Sequence, residues 1–165
     1  MTLQVAGIVR ESIVDGPGIR YAVFVQGCPH HCPGCHNPET HLFAGGSAMD
    51  IAGIFAQFQA DPLLKGITLS GGEPFCQAEP LAELARLVHG TGKDVAVYTG
   101  YTFEELAASP DPAVAALLEE TDLLIDGPFV EAQRDIDLLF RGSSNQRLID
   151  AKASLAAGRA VLWEP

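Results

Sequence analysis

Three cysteines stand within eight residues, in the run GCPHHCPGCHN at positions 27–37. Their spacing is Cys28-x3-Cys32-x2-Cys35, with His30, His31 and His36 interleaved or adjacent. Thiols this close together point to metal in a reducing compartment. A disulfide framework belongs to oxidising settings and spreads its cysteines. Two metal chemistries fit. Zinc takes four ligands, from paired C-x2-C knuckles or from cysteine with histidine; a second knuckle is missing, but any of the three histidines could complete the set. A ferredoxin-type site supplies four cysteines to a [4Fe–4S] cube; three would leave one iron without a protein ligand. For an electron carrier that is a defect, whereas for a catalyst an open position is where a substrate binds. The fourth cysteine, Cys76, reads as a small buried residue and not as a ligand, and His30 and His31 read as solvated loop residues without a chemical role.

The elements that must hold this loop alternate strand and helix. YAVFVQG (21–27) is a β-branched and aromatic strand that runs straight into the cysteines. SAMDIAGIFAQFQA (47–60) is predicted as one helix, with Ser47 as cap, Asp50 three residues on, and Ile51, Ile54, Phe55 and Phe58 on one face. GITLSGGEP (66–74) is a strand ending in glycines. AEPLAELARLVHG (78–90) is a helix with Leu81, Leu84, Ala85 and Val88 as its apolar stripe and Gly90 at its end. DVAVYTG (94–100) is a strand. Thr102 and Glu105 form a capping box that opens a short helix, and AVAALLEE (113–120) resumes helix after Pro110 and Pro112. DLLIDG (122–127) is a strand, a helix is predicted over 150–157, and AVLW (160–163) as a last strand.

Strands separated by short helices imply parallel βαβ units, and continuous apolar runs such as VAVY and LLI suit strands buried on both faces. A full eight-unit barrel needs about 200 residues or more, and the chain has 165. That leaves an open or partial barrel, or a doubly wound sheet. Both put chemistry at the C-terminal ends of the strands, and the special motifs fall there: the cysteine loop, GGEP, TGY and DGPF. They are expected to converge on one mouth.

Composition narrows the partners. Apolar residues make up 47% and charged residues 19% of the chain, with a formal net charge of −11. This is a folded composition, and its acidity argues against nucleic acid, whose phosphates call for lysine and arginine. No apolar run reaches a membrane span and the N-terminus does not read as a signal peptide, so the expectation is a cytoplasmic single domain spanning 1–165.

The C-x3-C-x2-C loop resembles the signature of radical S-adenosylmethionine enzymes. There three thiolates hold three irons of a [4Fe–4S] cluster and the amino and carboxylate groups of S-adenosylmethionine chelate the fourth. GGEP (71–74) resembles that superfamily's methionine-binding segment. VDGPGIR (14–20), FVQGC (24–28) and CHNPET (35–40) closely resemble the glycyl-radical-enzyme activases. YTGY (98–101), DGPF (126–129) and RGSSNQR (141–147) are similar to the branch of that family that activates anaerobic ribonucleoside-triphosphate reductases.

The resemblance runs from about Val14 to Ile149 and implies an open, partial βα barrel of parallel strands with helices outside. It implies Cys28, Cys32 and Cys35 as cluster ligands, with Gly34, His36, Gly71, Gly72 and Glu73 around S-adenosylmethionine. Glu73 would orient the amino group. Thr99 and Asp126 would lie near the cofactor carboxylate, through a bound monovalent cation. Where some relatives carry lysine this chain has Pro128, so a direct lysine contact is not expected. Asp15, Gly16, Pro17 and Gly18, with Arg141, Ser143, Ser144 and Asn145, would meet the partner. The activity implied is reductive cleavage to a 5′-deoxyadenosyl radical, which takes hydrogen from a glycine of the reductase. A low-potential donor such as flavodoxin would supply the electron. The readings kept beside it are an activase for another glycyl-radical enzyme, and a non-catalytic zinc or iron–sulfur electron-transfer module.

Overall fold

The computed structural model describes residues 1–30, 32–35, 38–42 and 45–165, the side chain of Glu39 excepted. A seven-stranded sheet runs in the order β3-β1-β2-β4-β5-β6-β7. Its strands are β1 (Thr2–Ser12), β2 (Arg20–Val25), β3 (Ser47–Asp50), β4 (Gly66–Gly71), β5 (Asp94–Tyr98), β6 (Leu123–Asp126) and β7 (Arg147–Asp150). The helices are α1 (Ile51–Gln59), α2 (Ala78–His89), α3 (Phe103–Ala107), α4 (Pro112–Glu119) and α5 (Ala151–Ala157).

The four central strands, β2, β4, β5 and β6, are parallel, as the βαβ alternation predicts. The flanks are not. β1 pairs antiparallel with both β2 and β3, and β7 pairs antiparallel with β6. The expectation of an all-parallel set is corrected in this respect. The proposed single helix over 47–60 is corrected too. Ser47–Asp50 form an edge strand on β1, in register Thr2↔Asp50 to Val5↔Ser47, and helix begins at Ile51. The cap residue is Asp50, although its side chain makes no capping bond. The expected final strand at 160–163 is reduced to an isolated bridge between Leu162 and Ile149. The Thr102–Glu105 capping box forms as expected; in addition, Asp111 caps α4 by accepting from Ala113 N, and Asp150 caps α5.

Successive parallel strands add to the sheet in one direction and never reverse. Crossovers are right-handed, so this winding puts the connecting helices on one face. The packing agrees. Val23, Val25, Ile67, Leu69, Val95, Val97 and Leu124 point to that face and share one buried cluster with Ile54 and Phe58 of α1, Leu81, Leu84, Ala85 and Val88 of α2, and Leu117 of α4. Alternate residues point the other way. There Ala96, Leu123 and Ile125 form a second, small cluster with Tyr98, Leu148 and Trp163. The face free of helices is the one that holds the site.

At one end of that face, Arg20 is completely buried, with Nε donating to Thr68 Oγ1 (2.7 Å) and Nη2 to Ile67 O (2.8 Å) and Asp94 Oδ1 (2.5 Å). Its Nη1 holds Pro17 O, and Thr68 Oγ1 donates to Asp15 O (2.7 Å). The turn over 14–18 is thus bolted to the N-terminal ends of the strands, and the other end stays open. No helix among the described residues is long and apolar enough to cross a membrane.

Candidate active site at the strand ends

A cavity of about 660 Å³ opens beyond the C-terminal ends of β2, β4, β5 and β6. All four strand-end motifs reach it: Cys28, Cys32 and Cys35 from the first, Gly71 and Gly72 from the second, Thr99 and Gly100 from the third, Gly127 and Phe129 from the fourth. Its floor is the helix-free face of the sheet, through Phe24, Ser70 and Tyr98. The size is that of a site for a small ligand.

The cysteines stand as thiols. Cys28 is buried, and Cys32 and Cys35 are half-buried. The loop is fixed at its start by Gly27 N to Thr40 O (2.6 Å) and Cys28 N to His41 O (3.2 Å), and Cys35 N folds back onto Cys32 O. Among the described residues no three His, Cys, Asp or Glu side chains gather in a way that could hold a single metal ion. The three thiols all line the cavity. Three soft donors facing an open cavity fit a multi-iron cluster with one side left for another ligand. Cys76 lies outside the lining and is open to solvent on one side. Partial burial, then the charges of Glu73 and Cys28, push its thiol up to about 11, so the free thiol stays protonated at neutral pH.

Gly71 and Gly72 are crowded by the protein's own backbone. Gly71 has φ +108°, and a Cβ on it would lie 2.3 Å from Val25 N; one on Gly72 would lie 2.2 Å from Gly27 O. The glycines let the end of β4 press against the root of the cysteine loop, which Gly72 N to Val25 O and Glu73 N to Gly27 O (2.7 Å) then lock. Glu73 is fully buried behind this wall and is absent from the lining. Its Oε1 accepts from His30 Nε2 (2.6 Å), Thr99 Oγ1 (2.9 Å) and Gly100 N (2.8 Å), and its Oε2 from Phe75 N (3.0 Å). A carboxylate so placed organises the cavity wall.

His30, read from the sequence as a solvated bystander, therefore has a partner. Its ring also stands edge-on to Tyr101, with centroids 4.6 Å apart. The signal that could have found it is GGEP itself, because a buried glutamate must draw hydrogen bonds from somewhere. His31 and His36 lie outside the described residues. Gly34 is exposed, with φ +73°, beside the Glu131 side chain and off the lining.

Thr99 lines the cavity, but Asp126 does not. Asp126 is 1% exposed, and its oxygens accept from Phe103 N (2.7 Å) and from Arg147 Nε (3.0 Å) and Nη2 (2.6 Å). Asp126 thus caps α3 and anchors β7, and Pro128 is exposed beyond it. Of the residues expected to meet a partner, Asp15 and Arg141 line the cavity, while Gly16, Pro17 and Gly18 belong to the bolted turn. Ser143, Ser144 and Asn145 are spent within their own loop: Ser143 Oγ bonds Asn145 Oδ1, Ser144 Oγ bonds Gln133, and Asn145 Nδ2 bonds Pro128 O. That loop brings apolar residues to the mouth. Ile136 and Leu139 of that loop, like Ile13 and Val14, are exposed and line the cavity.

Comparison with known proteins agrees with this layout. Residues 14–149 match the family model described as a 4Fe-4S single cluster domain. The anaerobic ribonucleoside-triphosphate reductase-activating protein of Escherichia coli K12 is 36% identical, over 81% of this chain and 90% of that protein. The protein of the same name from Haemophilus influenzae is 37% identical over 81% of this chain and 89% of its own length. That of Enterobacteria phage T4 is 34% identical, covering 82% and 86% respectively. The matched span takes in the turn at 14–18, the three thiols, the glycine corner and most of β7, and on this agreement the chain belongs to the family of anaerobic ribonucleoside-triphosphate reductase-activating proteins, built on a 4Fe-4S single cluster domain.

Proposed function

We propose that this chain is a radical S-adenosylmethionine activase. On this reading Cys28, Cys32 and Cys35 hold a [4Fe–4S] cluster, S-adenosylmethionine occupies the rest of the cavity, and the substrate is a backbone glycine of an anaerobic ribonucleoside-triphosphate reductase. The observation that carries the reading is that three thiols and three other strand-end motifs line one cavity of about 660 Å³. When bound, the cluster and S-adenosylmethionine together supply a one-electron cleavage of the sulfonium and the hydrogen-abstracting 5′-deoxyadenosyl radical that follows.

The chain's own part is placement and exclusion of water. The thiolates bind iron and leave one position for the cofactor. Backbone at Gly71, Gly72 and Gly100 forms a smooth wall, braced from behind by the Thr99 hydroxyl, which donates to Glu73. Phe24, Tyr98 and Phe129 make the floor and side apolar. Burial pushes the Tyr98 phenol upward, so it stays neutral, and its hydroxyl donates to Phe140 O (2.7 Å), holding the 128–146 loop against the mouth. A glycine segment of the reductase enters between Ile13–Val14 and Ile136–Leu139, past Asp15 and Arg141. The helix-free face and one-directional winding support an open part-barrel, read here as one domain, and a low-potential donor of flavodoxin type delivers the electron.

The test is anaerobic reconstitution with iron and sulfide, followed by reductive S-adenosylmethionine cleavage with and without the reductase, and electron paramagnetic resonance for a glycyl doublet. Cys32→Ala is the control and should lower cleavage to background. Uptake of zinc in place of iron, or a doublet only on some other glycyl-radical enzyme, overturns the reading.

A further inference from the structure

Among the described residues, the centre of the cysteine loop reaches the sheet through the side chain of His30. Backbone bonds secure the loop at Gly27 and Cys28 and close the Cys32–Cys35 turn on itself. Between them, His30 reaches across the cavity wall and bonds Glu73 Oε1 at 2.6 Å, with 17% of its side chain exposed and Glu73 fully buried. A carboxylate only accepts, so Nε2–H is the donor and the imidazole is fixed in that orientation.

Glu73 is in turn immobilised by Thr99, Gly100 and Phe75. The strand end is cut to receive the ring. A Cβ at position 100 would lie 2.4 Å from His30 Cδ2 and 2.6 Å from Nε2, so glycine there is what lets the imidazole lie flat on the backbone. Tyr101 closes the other side. Three residues from two separate segments, Glu73 and the Gly100–Tyr101 pair, converge on one imidazole that lies in sequence between two thiols.

We propose that His30 is a positioning residue: by pinning the loop to the Glu73–Thr99–Gly100 corner, it sets where the Cys28 and Cys32 thiols stand relative to the cofactor wall. This rests on the radical activase reading for its consequence but not for its test. A hydrogen bond to a buried charged group fixes a loop far more firmly than a solvated contact, so its loss should release the loop without unfolding the sheet.

The experiment compares wild type, His30→Ala and His30→Gln, whose amide can reach the same oxygen. In the metal-free protein, amide hydrogen exchange is followed across residues 27–37, with α2 and β5 as internal controls. His30→Ala should raise exchange in the loop about tenfold or more while the controls stay unchanged, and His30→Gln should restore most of the protection. In the reconstituted protein, His30→Ala should lose iron to a chelator about tenfold faster, and the resonance of its reduced cluster should differ before S-adenosylmethionine is added. Equal loop exchange in wild type and His30→Ala overturns the proposal, as does a His30→Gln protein that behaves like alanine. A wild-type chain that takes up no cluster overturns the activase reading, while the exchange measurement still decides the role of His30.

Discussion

Two buried carboxylates sit just past or at the ends of parallel strands, and the molecule treats them in opposite ways. Asp126 ends β6 and is met by the guanidinium of Arg147 through two hydrogen bonds, of 3.0 and 2.6 Å, with a helix amide as its other donor. Glu73 follows β4 and is met by a histidine, a threonine hydroxyl and two backbone amides. Among the described residues no lysine or arginine pairs with Glu73. Arginine cancels a carboxylate with a rigid fork and turns it into structure. The strand corner at Asp126 is finished in this sense, and it stands off the cavity. The corner at Glu73 keeps a negative charge directly behind the cavity wall, balanced only by dipoles and an imidazole. A negative charge at the rear of a cavity favours a cationic ligand over an anionic one.

The largest expected effect breaks the finished corner. Arg147→Ala leaves Asp126 buried with only Phe103 N as donor, and removing one partner of a buried pair costs about 3 kcal/mol. Chemical denaturation should show that loss, and Asp126→Asn added to Arg147→Ala should recover at least half of it, because the unpaired charge is then gone. The outer partner, Glu104, is 58% exposed. The Arg147 hydrogen bond holds its carboxyl below the usual range, yet solvent screens such a pair, so Glu104→Ala should cost only about 0.5 kcal/mol. Equal losses for Arg147→Ala and Glu104→Ala would mean that burial of Asp126 is not what the arginine answers.

The unfinished corner is probed at Gly100. Alanine there would drive its Cβ into the His30 ring, and relief requires the ring to leave Glu73. We expect Gly100→Ala to cost about 1–2 kcal/mol, the scale of modest overpacking, and to loosen the cysteine loop just as His30→Ala does. The double variant should be no worse in loop exchange than either single one, since both remove the same bond. Additive effects would separate the two residues and dissolve the corner as a unit.

Much of this corner, but not its wiring, was legible in the chain. The thiol spacing, the strands running into glycines, the α2 stripe and the Thr102–Glu105 box are local patterns, and each stands where it was expected. The edge strands were hidden because they exist only through pairing. Ser-Ala-Met-Asp has little β preference of its own, and becomes β3 because Thr2–Val5 offers an edge. RLID is too short to announce β7, and it is held by its partner β6 and by Arg147. His30 looked solvated because its partner lies 43 residues away in sequence. Asp126 looked free to serve a ligand because nothing local marks Arg147 as its counter-ion. Long-range polar pairing is what a linear reading loses first.

A modest, pH-dependent effect sharpens the comparison with a histidine that has no part in the cavity. His89, at the end of α2, bridges Glu120 through Nδ1 (2.7 Å) and Asp122 through Nε2 (2.7 Å), and Asp122 also accepts from Val95 N. Burial pulls its pKa down, but the hydrogen bonds and charges of Asp122 and Glu120 outweigh it, and the net shift is upward from 6.5. A group whose folded value is raised binds its proton more tightly in the folded state, so its contribution is full below about 6.5, the unfolded value, and fades as pH rises through the higher folded value. His89→Gln should therefore destabilise the protein by about 1 kcal/mol at pH 6 and by less at pH 9, read as the difference between denaturation midpoints at the two pH values. Loop exchange around residues 27–37 should not change in this variant. If it did, histidine–carboxylate pairing would be a general stiffener of this fold, and the special standing given to His30 would be lost.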